Sequence, residues 1–469
     1  MNIRRPRTRN RDRCNHHSCK ESDSFLGSRE DFVNNARVKK LFLIGCALSS
    51  FLFALSSAEA AYPELTLRHK HHIFTLDPDS YPAWRGTEEV WMYEGKEIEP
   101  AAELRIDGDS LPALPRGIIR SERPTWNVHA MEVTLKKAIE PKLNRSPRDV
   151  TIKRSATGAI VFEGVGMLGR SLQTKEASAL IAEAMTKGMT EIILPVEEIA
   201  PTVTVLDPEL RKSGIKEIVT VGESSYAGSP IPRRHNIAVG LSKFNGHLIP
   251  KGETFSFNKV LGKVDASTGY WKELVIMGDL TIPEYGGGLC QVSTTAYRGV
   301  WEYGFPIAAR RNHSFAVRYY FPEGTDATIY PPHTDMTFIN DSPGAILIQT
   351  HQENDQAYFI YYGTKDTRQT EIIGPYTWDF RAPPADRTEY TTEIPAGTTR
   401  KAGDKHPGLK AQWFRILTSV TGEEKIESVF SAYEARTFIT QIGISPTDGD
   451  VIAPPSWLGP EWDEEATGG

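Results

Sequence analysis

The stretch of sequence that decides the fold reads Gly286-Gly287-Gly288-Leu289-Cys290-Gln291-Val292-Ser293-Thr294-Thr295. Three successive glycines permit backbone angles that are closed to other residues and let another segment approach closely. Apolar residues then recur at helical spacing, at Val292, Ala296, Val300 and Trp301,. The pattern predicts a helix over about 291–303, closed by Gly304, with Cys290 at its N-terminus,.

A cysteine in this position can act as a nucleophile. The free N–H groups and the dipole of a helix N-terminus stabilise a thiolate, which is the reactive form of the side chain. The alternative is a glycine turn that holds a small, buried and inert thiol. The combination of glycines, Cys290 and helix start favours the nucleophile, and the inert thiol stays open as the second interpretation.

A thiol nucleophile requires a base, and the base requires an orienting group. His313 stands at the start of a strand predicted over 314–321, and Asp326 follows the next turn. Cys290, His313 and Asp326 therefore predict a catalytic unit of the Cys/His/Asp type,. Taken singly, His313 would more often be structural and Asp326 a turn residue. Asp335 is the second candidate for the orienting carboxylate.

The surrounding sequence predicts an α+β protein of several small domains. The central domain is predicted to be a mostly antiparallel sheet with one main helix, which starts at the cysteine motif. Its other strands are predicted at 217–221, 336–340, 345–350 and 357–362. A second α+β domain is predicted to have helices over 131–143 and 174–187 and a hairpin around 157–158,.

The predicted organisation has six parts. These are a leader with a signal peptide at 1–60, an irregular segment at 61–124, an α+β domain at 125–205, the central domain at 206–365, a small β-rich domain at 366–443 and a disordered tail at 444–469.

The first 60 residues carry the marks of export. Lys39-Lys40, a short apolar run over 41–55 and Ala58-Glu59-Ala60 match the three parts of a secretory signal,. We therefore expect a protein of the cell envelope, in the periplasm, the cell wall or outside the cell, that begins near Ala61. An uncleaved signal would instead anchor the protein to the membrane. Cleavage would remove Cys14, Cys19 and Cys46 and leave Cys290 as the only thiol,.

Charge and histidine spacing exclude other classes of function. The net charge is −6, with +6 in the first 40 residues and −12 in the rest, so we expect no nucleic-acid partner,. His69, His71 and His72 cluster, but acidic or cysteine partners at ligand spacing are missing from the local sequence,. We interpret the cluster as a solvated polar stretch and expect no metal and no cofactor.

Several motifs, in order, resemble the VanW family between about residues 222 and 363. They are PRRHNI at 232–237, PKGE at 250–253, FSFN at 255–258, GY at 269–270, GGGLCQVSTT at 286–295, RNHS at 311–314, GTDAT at 324–328 and DMTFIN at 335–340. The domain at 125–205 more loosely resembles the peptidoglycan-binding domain that often precedes a VanW domain. Residues 413–443 resemble the short β domain often attached to one.

The resemblance implies a cell-envelope protein linked by name to vancomycin resistance, with cysteine-dependent L,D-transpeptidase activity on peptidoglycan stem peptides in some members. On this hypothesis Cys290 attacks a stem-peptide carbonyl, and backbone near Gly288 and Gln291 holds the oxyanion. Arginines could bind substrate carboxylates, although arginines beside a strand are more often solvated. These are Arg233, Arg234 and Arg311. The alternative is a non-catalytic peptidoglycan-binding or scaffold protein, whose thiol would stay inert until the protein unfolds.

Overall fold

A computed structural model describes residues 62–98, 116–277, 280–419 and 421–445. The predicted leader and signal, with Cys14, Cys19 and Cys46, lie outside the described residues, as do residues 446–469 of the predicted tail. All described residues belong to one compact unit. Among them, no helix has both the length and the apolar character needed to cross a membrane.

The segment at 61–124 is more regular than predicted. It contains β1 (Leu65–His69), β2 (His72–Leu76), β3 (Arg85–Tyr93), β4 (Lys96–Ile98) and β5 (Ile118–Trp126). β1 and β2 form an antiparallel hairpin, and β3 pairs with both β4 and β5. The prediction of an irregular segment was wrong because two of its prolines lie between strands. Pro78 and Pro82 each begin a short 3-10 turn, a position that needs no backbone donor,.

Residues 125–205 form the predicted mixture of helices and strands. The elements are α1 (Val128–Ala138), α2 (Glu140–Leu143), β6 (Val150–Arg154), β7 (Ile160–Glu163), β8 (Gly169–Leu172), α3 (Thr174–Lys187), β9 (Glu191–Ile193), β10 (Val196–Ile199) and β11 (Val203–Val205). α3 has the predicted bounds and ends at Gly188, which adopts a φ of +67°. The helix predicted over 131–143 is instead two helices, because Pro141 has no N–H and opens the second one,. β1 pairs in parallel with β9, so the N-terminal hairpin extends this part of the fold.

The central part of the chain has one long helix on an antiparallel sheet, which confirms the predicted α+β class. Its elements are α4 (Pro208–Ser213), β12 (Glu217–Ser225), α5 (Ile231–Ser242), β13 (Leu248–Ile249), β14 (Thr254–Ser256), α6 (Phe257–Leu261), β15 (Lys272–Met277), β16 (Leu280–Tyr285), α7 (Leu289–Tyr303), β17 (Ile307–Ala309), β18 (Thr337–Ile339), β19 (Ile346–Glu353) and β20 (Gln356–Gly363). The main sheet has the order β12-β20-β19-β13, with antiparallel neighbours throughout.

Two glycines set the position of α7 on this sheet. A Cβ atom added at Gly222 of β12 would lie 2.0 Å from the carbonyl oxygen of Thr295, and one added at Gly299 would lie 2.6 Å from the nitrogen of Gly222. The helix and strand backbones therefore touch directly, an approach that only glycine allows. Every residue of α7 from Gln291 to Glu302 is buried, so the sheet fixes where the helix begins.

The strand predicted over 314–321 is not formed. The backbone groups of this segment find partners outside any strand ladder: His313 N donates to the Asp326 carboxylate, and Ser314 O accepts from Glu434 N at 2.7 Å. A 3-10 turn at Arg318–Tyr320 follows. Pro322, which has no N–H, then prevents the chain from continuing a ladder,.

The C-terminal part consists of strands that pack against the end of α7. They are β21 (Gln369–Arg381), β22 (Arg387–Thr391), β23 (Thr399–Gly403), β24 (Gly408–Thr418), β25 (Glu424–Tyr433) and β26 (Ile439–Gly443). They form two sheets, with orders β21-β24-β25 and β22-β26-β23. Arg415 of β24 donates to the carbonyl oxygens of Trp301 (2.7 Å) and Phe305 (3.1 Å). A guanidinium at a helix C-terminus satisfies carbonyls that lack helical partners, so Arg415 joins the two parts.

The cores do not follow the predicted domain boundaries. The largest core surrounds α7 and includes Val292, Ala296 and Val300. Another is shared between residues 150–218 and residues 345–362, with Ile152 and Ile360 both fully buried in it. The predicted boundary at 205–206 therefore crosses a single packed core.

Candidate active site

Cys290 lies in the first turn of α7, as the glycine motif predicts. Gly288 is the N-cap residue with a φ of +111°, a value that L side chains rarely adopt,. The Cys290 sulfur lies 3.5 Å from the Thr328 hydroxyl and 3.8 Å from the carbonyl oxygen of Ile329. The residue as a whole is only partly buried.

His313 and Asp326 meet as predicted. His313 Nδ1 lies 2.5 Å from Asp326 Oδ2, and the same oxygen accepts the backbone N–H of His313 at 2.7 Å. With Nδ1 engaged by the carboxylate, Nε2 is the ring nitrogen left to act on the Cys290 thiol, whose pKa His313 lowers,. The Tyr320 ring stacks on the imidazole, with centroids 4.5 Å apart, and fixes its plane.

The electrostatics of the three groups favour a charged pair. Burial opposes charge on His313, but the hydrogen bonds and charges of Asp326 and Cys290 raise its pKa to about 9. Burial would raise the pKa of Cys290, but the hydrogen bond and charge of His313 lower it below the ordinary value of a thiol. The pKa of Asp326 is also lowered, because His313 and Arg310 outweigh the effect of burial. Near neutral pH the site therefore holds an imidazolium and a carboxylate, and these favour the thiolate form of Cys290 more than the surroundings of an ordinary thiol do,.

Asp326 has further partners that sequence reasoning did not assign. Its Oδ1 accepts from the Tyr433 hydroxyl at 2.5 Å and from Arg310 at 3.1 Å. Asp335, the second candidate, lies elsewhere: its carboxylate accepts from Ser256 Oγ and from the backbone N–H of Asn258, at the start of α6. No local signal marks Tyr433, because it comes 107 residues after Asp326.

Gln291 and Gly288 support the turn through bonds of their own. The Gln291 side chain is fully buried and donates to Ser224 Oγ at 2.7 Å and to Ser225 O at 3.2 Å. The backbone N–H of Gln291 donates to Gly288 O at 2.9 Å. The side chain thus ties the cysteine turn to β12, and the oxyanion role of this backbone stays a prediction.

The three predicted arginines lie in different surroundings. Arg233 is buried, donates to Gln291 Oε1 at 3.1 Å and lies over the Tyr319 ring. Arg234 is paired with Asp355 on the other side of α5. Arg311 is exposed, and its carbonyl oxygen accepts from the N–H of Thr328, the residue whose hydroxyl is near Cys290. Arg311 and Arg233 are thus beside the site, whereas Arg234 has another partner.

The histidine cluster is not a solvated stretch, and that interpretation was wrong. His71 is buried with Nδ1 2.5 Å from Glu302 Oε1, and His72 Nε2 is 2.7 Å from Glu223 Oε1. These glutamates lie 231 and 151 residues away along the chain, so local spacing could not reveal them.

The positively charged side chains of two arginines lie among these residues. His71, His72 and Glu223 have ligand atoms within 4.8 Å of one another, as in a metal site,. The Arg170 guanidinium donates to Glu223 and lies 2.6 Å from His72 Nε2, and Arg145 donates to Glu223 at 2.8 Å. Two guanidinium groups at the same carboxylate disfavour a further cation. We therefore describe these residues as a buried charge network.

These features define an α+β protein with a Cys–His–Asp site at a helix N-terminus. Residues 232–362 match the family described as VanW like protein. The match contains Cys290, His313 and Asp326, and the chain therefore carries a VanW-like domain. No solved structure shows a significant match.

Two relatives of known sequence support this assignment. The uncharacterized protein YoaR of Bacillus subtilis (strain 168) is 29% identical over 230 residues, which are 49% of this chain and 73% of that protein. The vancomycin B-type resistance protein VanW of Enterococcus faecalis (strain ATCC 700802 / V583) is 32% identical over 114 residues, which are 23% of this chain and 40% of that protein.

Proposed function

We propose that this protein is a cell-envelope enzyme that transfers acyl groups on peptidoglycan stem peptides through a thioester at Cys290. One observation carries the proposal: the partly buried Cys290 at a helix N-terminus is paired with His313, whose second ring nitrogen is held by Asp326. The choice of substrate is supported by the VanW-like domain, because one relative is named a vancomycin resistance protein.

The charges of the site fit both halves of such a reaction. The Cys290 thiolate attacks the carbonyl carbon of a stem-peptide bond, a C–S bond forms, the C–N bond breaks, and the proton on His313 passes to the leaving amine. An incoming amine then attacks the thioester and gives a proton to His313 as the C–S bond breaks. This restores the thiolate and imidazolium and produces a cross-link. With water as the acceptor, the same steps give hydrolysis.

Other groups would stabilise the reacting atoms. The backbone N–H of Cys290 is proposed to face the oxyanion, where the α7 dipole favours negative charge, because the N–H of Gln291 already donates to Gly288 O,. Arg311 is exposed next to Thr328 and is proposed to bind a stem-peptide carboxylate,. Arg233, which is buried against Gln291, would add positive potential from behind the turn.

The proposed substrate requires the protein to leave the cytoplasm. The basic, apolar and small-residue series that ends at Ala60 supports export,. N-terminal sequencing of the protein from its native host should then begin near Ala61. A cytoplasmic form that starts at Met1 would contradict export.

The test of the reaction is incubation of the purified protein with defined muropeptides, followed by mass spectrometry of products and intact protein. We expect an acyl adduct on Cys290 and a cross-linked or hydrolysed product. Cys290→Ala and His313→Ala should each abolish turnover, and the double variant should be little worse, because residues that act as a unit are not additive. Asp326→Ala should retain more activity, because Asp326 orients His313 and transfers no proton.

Asp335→Ala is the matched control, since the Asp335 carboxylate accepts from Ser256 and Asn258 at the start of α6, whereas the Asp326 carboxylate accepts from His313. It should lower stability and leave turnover per folded molecule unchanged. Full activity in Cys290→Ser, with no adduct on the native protein, would contradict the proposal. Binding of muropeptides without any adduct would instead support the non-catalytic, peptidoglycan-binding alternative.

A further inference from the structure

The two oxygens of the Asp326 carboxylate have different partners. Oδ2 accepts from the backbone N–H and the ring of His313, at 2.7 and 2.5 Å. Oδ1 accepts from Tyr433 at 2.5 Å and from Arg310 at 3.1 Å. Asp326 is only 2% exposed, so water contributes little to its orientation. The groups on Oδ1 therefore decide how Oδ2 faces the imidazole.

Tyr433 is fixed at the end of β25. Its ring is 2% exposed, and its hydroxyl oxygen accepts the backbone N–H of Gly324 at 2.8 Å while the hydroxyl proton goes to Asp326. Burial, together with the charge of Asp326, holds the pKa of Tyr433 well above its usual range. The phenol therefore stays protonated and acts as a donor at any pH where the protein works.

The strands around Tyr433 hold the same loop at several further points. Asn312 donates to Ala432 O at 2.8 Å, and Arg310 donates to Ser431 Oγ at 2.9 Å. Trp413 of β24 donates its indole N–H to Glu323 O at 2.7 Å. The segment that carries His313 and Asp326 is thus enclosed between α7 and the C-terminal strands. These strands lie beyond the residues that match the VanW-like family.

We propose that Tyr433 is a positioning residue for the Cys290–His313–Asp326 unit, and that β25 is part of the active centre. The inference rests on the proposed catalytic unit, but it concerns the chemistry of the thiol and not the identity of the substrate. Without the hydroxyl, Asp326 keeps Arg310 on Oδ1 and loses the shorter of the two hydrogen bonds to that oxygen. The carboxylate can then rotate, the imidazolium loses alignment, and the thiolate loses its stabilising partner.

The experiment measures the rate of Cys290 alkylation by iodoacetamide against pH in the full chain, with Tyr433→Phe compared to the unchanged protein. Tyr433→Phe removes only the hydroxyl. We expect alkylation near pH 6 to slow by about tenfold and its midpoint to move to higher pH, as for the loss of one hydrogen bond to a charged group. Tyr390→Phe is the matched control, because Tyr390 of β22 is 53% exposed, and its profile should not change.

A second measurement covers the case in which Tyr433→Phe fails to fold. Full chain with 3-fluorotyrosine at position 433 keeps the hydroxyl, so its alkylation profile should match that of the unchanged protein. Its fluorine resonance should shift when Cys290 is alkylated, whereas the same probe at position 390 should not respond. An unaltered alkylation profile in folded Tyr433→Phe, or a silent fluorine probe at 433, would overturn the proposal. Neither readout uses a muropeptide, so inactivity towards peptidoglycan would refute the proposed function alone.

Discussion

Burial alone would disfavour a charge on either Cys290 or His313. Cys290 and His313 each favour the charged form of the other. The Asp326 carboxylate also stabilises the positive charge on His313. The glycines at 286–288 form the turn that places Cys290 in the first turn of α7. The result is a thiol whose reactivity depends on a few hydrogen bonds, so it can be tested by changing them one at a time.

The pH dependence of the thiol follows from these shifts. Because the pKa of Cys290 is lowered, alkylation should stay fast to a lower pH than it does for an ordinary thiol, and it should fall below the folded pKa,. The pKa of His313 is raised to about 9, so its proton is present below that pH and lost above it. The proposed acyl transfer should therefore decline above about pH 9, where His313 has lost the proton that it would give to the leaving amine,.

Stopped-flow or quenched alkylation across pH 5–10 measures the titration of the Cys290 thiol. The rate of muropeptide turnover over the same range measures the titration of His313. In His313→Ala the alkylation rate should instead rise only at or above the ordinary pKa of cysteine, about 8.5, because burial then raises the pKa of Cys290 without the opposing effect of His313,. An unchanged profile in that variant would show that His313 does not stabilise the thiolate.

At the scale of elements, the contact between α7 and β12 is the feature on which the site depends. A methyl group at Gly222 would meet the Thr295 carbonyl oxygen at 2.0 Å, and both atoms belong to rigid backbone. Gly222→Ala should therefore push the helix away from the sheet and lower the free energy of unfolding by about 3 kcal/mol or more.

Thermal or urea unfolding checks this prediction, and alkylation of the folded fraction reports whether Cys290 has moved. Gly86→Ala on β3 is the control, because its nearest contact would be an ordinary 3.7 Å. If the two variants have the same free energy of unfolding, α7 can shift away from β12 without destabilising the protein, and the prediction is wrong.

Some elements were predicted more accurately from the sequence than others. The accuracy depends on how far along the chain the hydrogen-bond and packing partners of each element lie. α7 and α3 carry their signals locally, in the apolar spacing and in the glycines that end them, and both were predicted within two residues. The strand at 314–321 was wrong because its backbone bonds to Asp326 and to Glu434, which no short-range pattern contains. Cys290, His313 and Asp326 were found because their residue types fit a known chemistry, whereas Tyr433 has no such signature.

At the scale of the whole molecule, the buried charge network joins three parts of the chain. His71 and His72 come from the N-terminal hairpin, Arg145 and Arg170 from the α1–β8 region, and Glu223 and Glu302 from the central domain. The sequence presents these residues as unrelated surface charges, because only the tertiary fold brings them together. Breaking such a network leaves unpaired charge in the interior.

The network should make the protein lose stability in mild acid. Burial lowers the pKa of His69 to about 3 and that of His72 to about 4, and nearby cations add to both shifts. Unfolded histidine titrates near 6.5, so between about pH 6.5 and pH 4 the unfolded chain binds more protons and stability falls as pH falls,. The lowered pKa of Glu223 extends the loss to lower pH.

Urea unfolding at a series of pH values measures how steeply the free energy of unfolding falls as the pH falls. His72→Gln should make the decline shallower, whatever its effect on stability at pH 7. His129→Gln, at an exposed position, should leave the slope as it was. If the free energy of unfolding depends on pH equally in both variants, His72 does not cause the loss of stability in acid.

The contact between Asp326 and Tyr433 has a consequence for the order in which the protein matures. The two residues are 107 positions apart, and Glu302 and His71 are 231 apart, so the site depends on contacts that close late in folding,. Until β25 docks, Asp326 lacks the hydrogen bond from Tyr433, and Cys290 should react no faster than a free cysteine. Pulse alkylation during refolding would detect this delay as reactivity that appears only with the final phase. A nascent chain would thus carry its nucleophile in a dormant form until the last strands arrive.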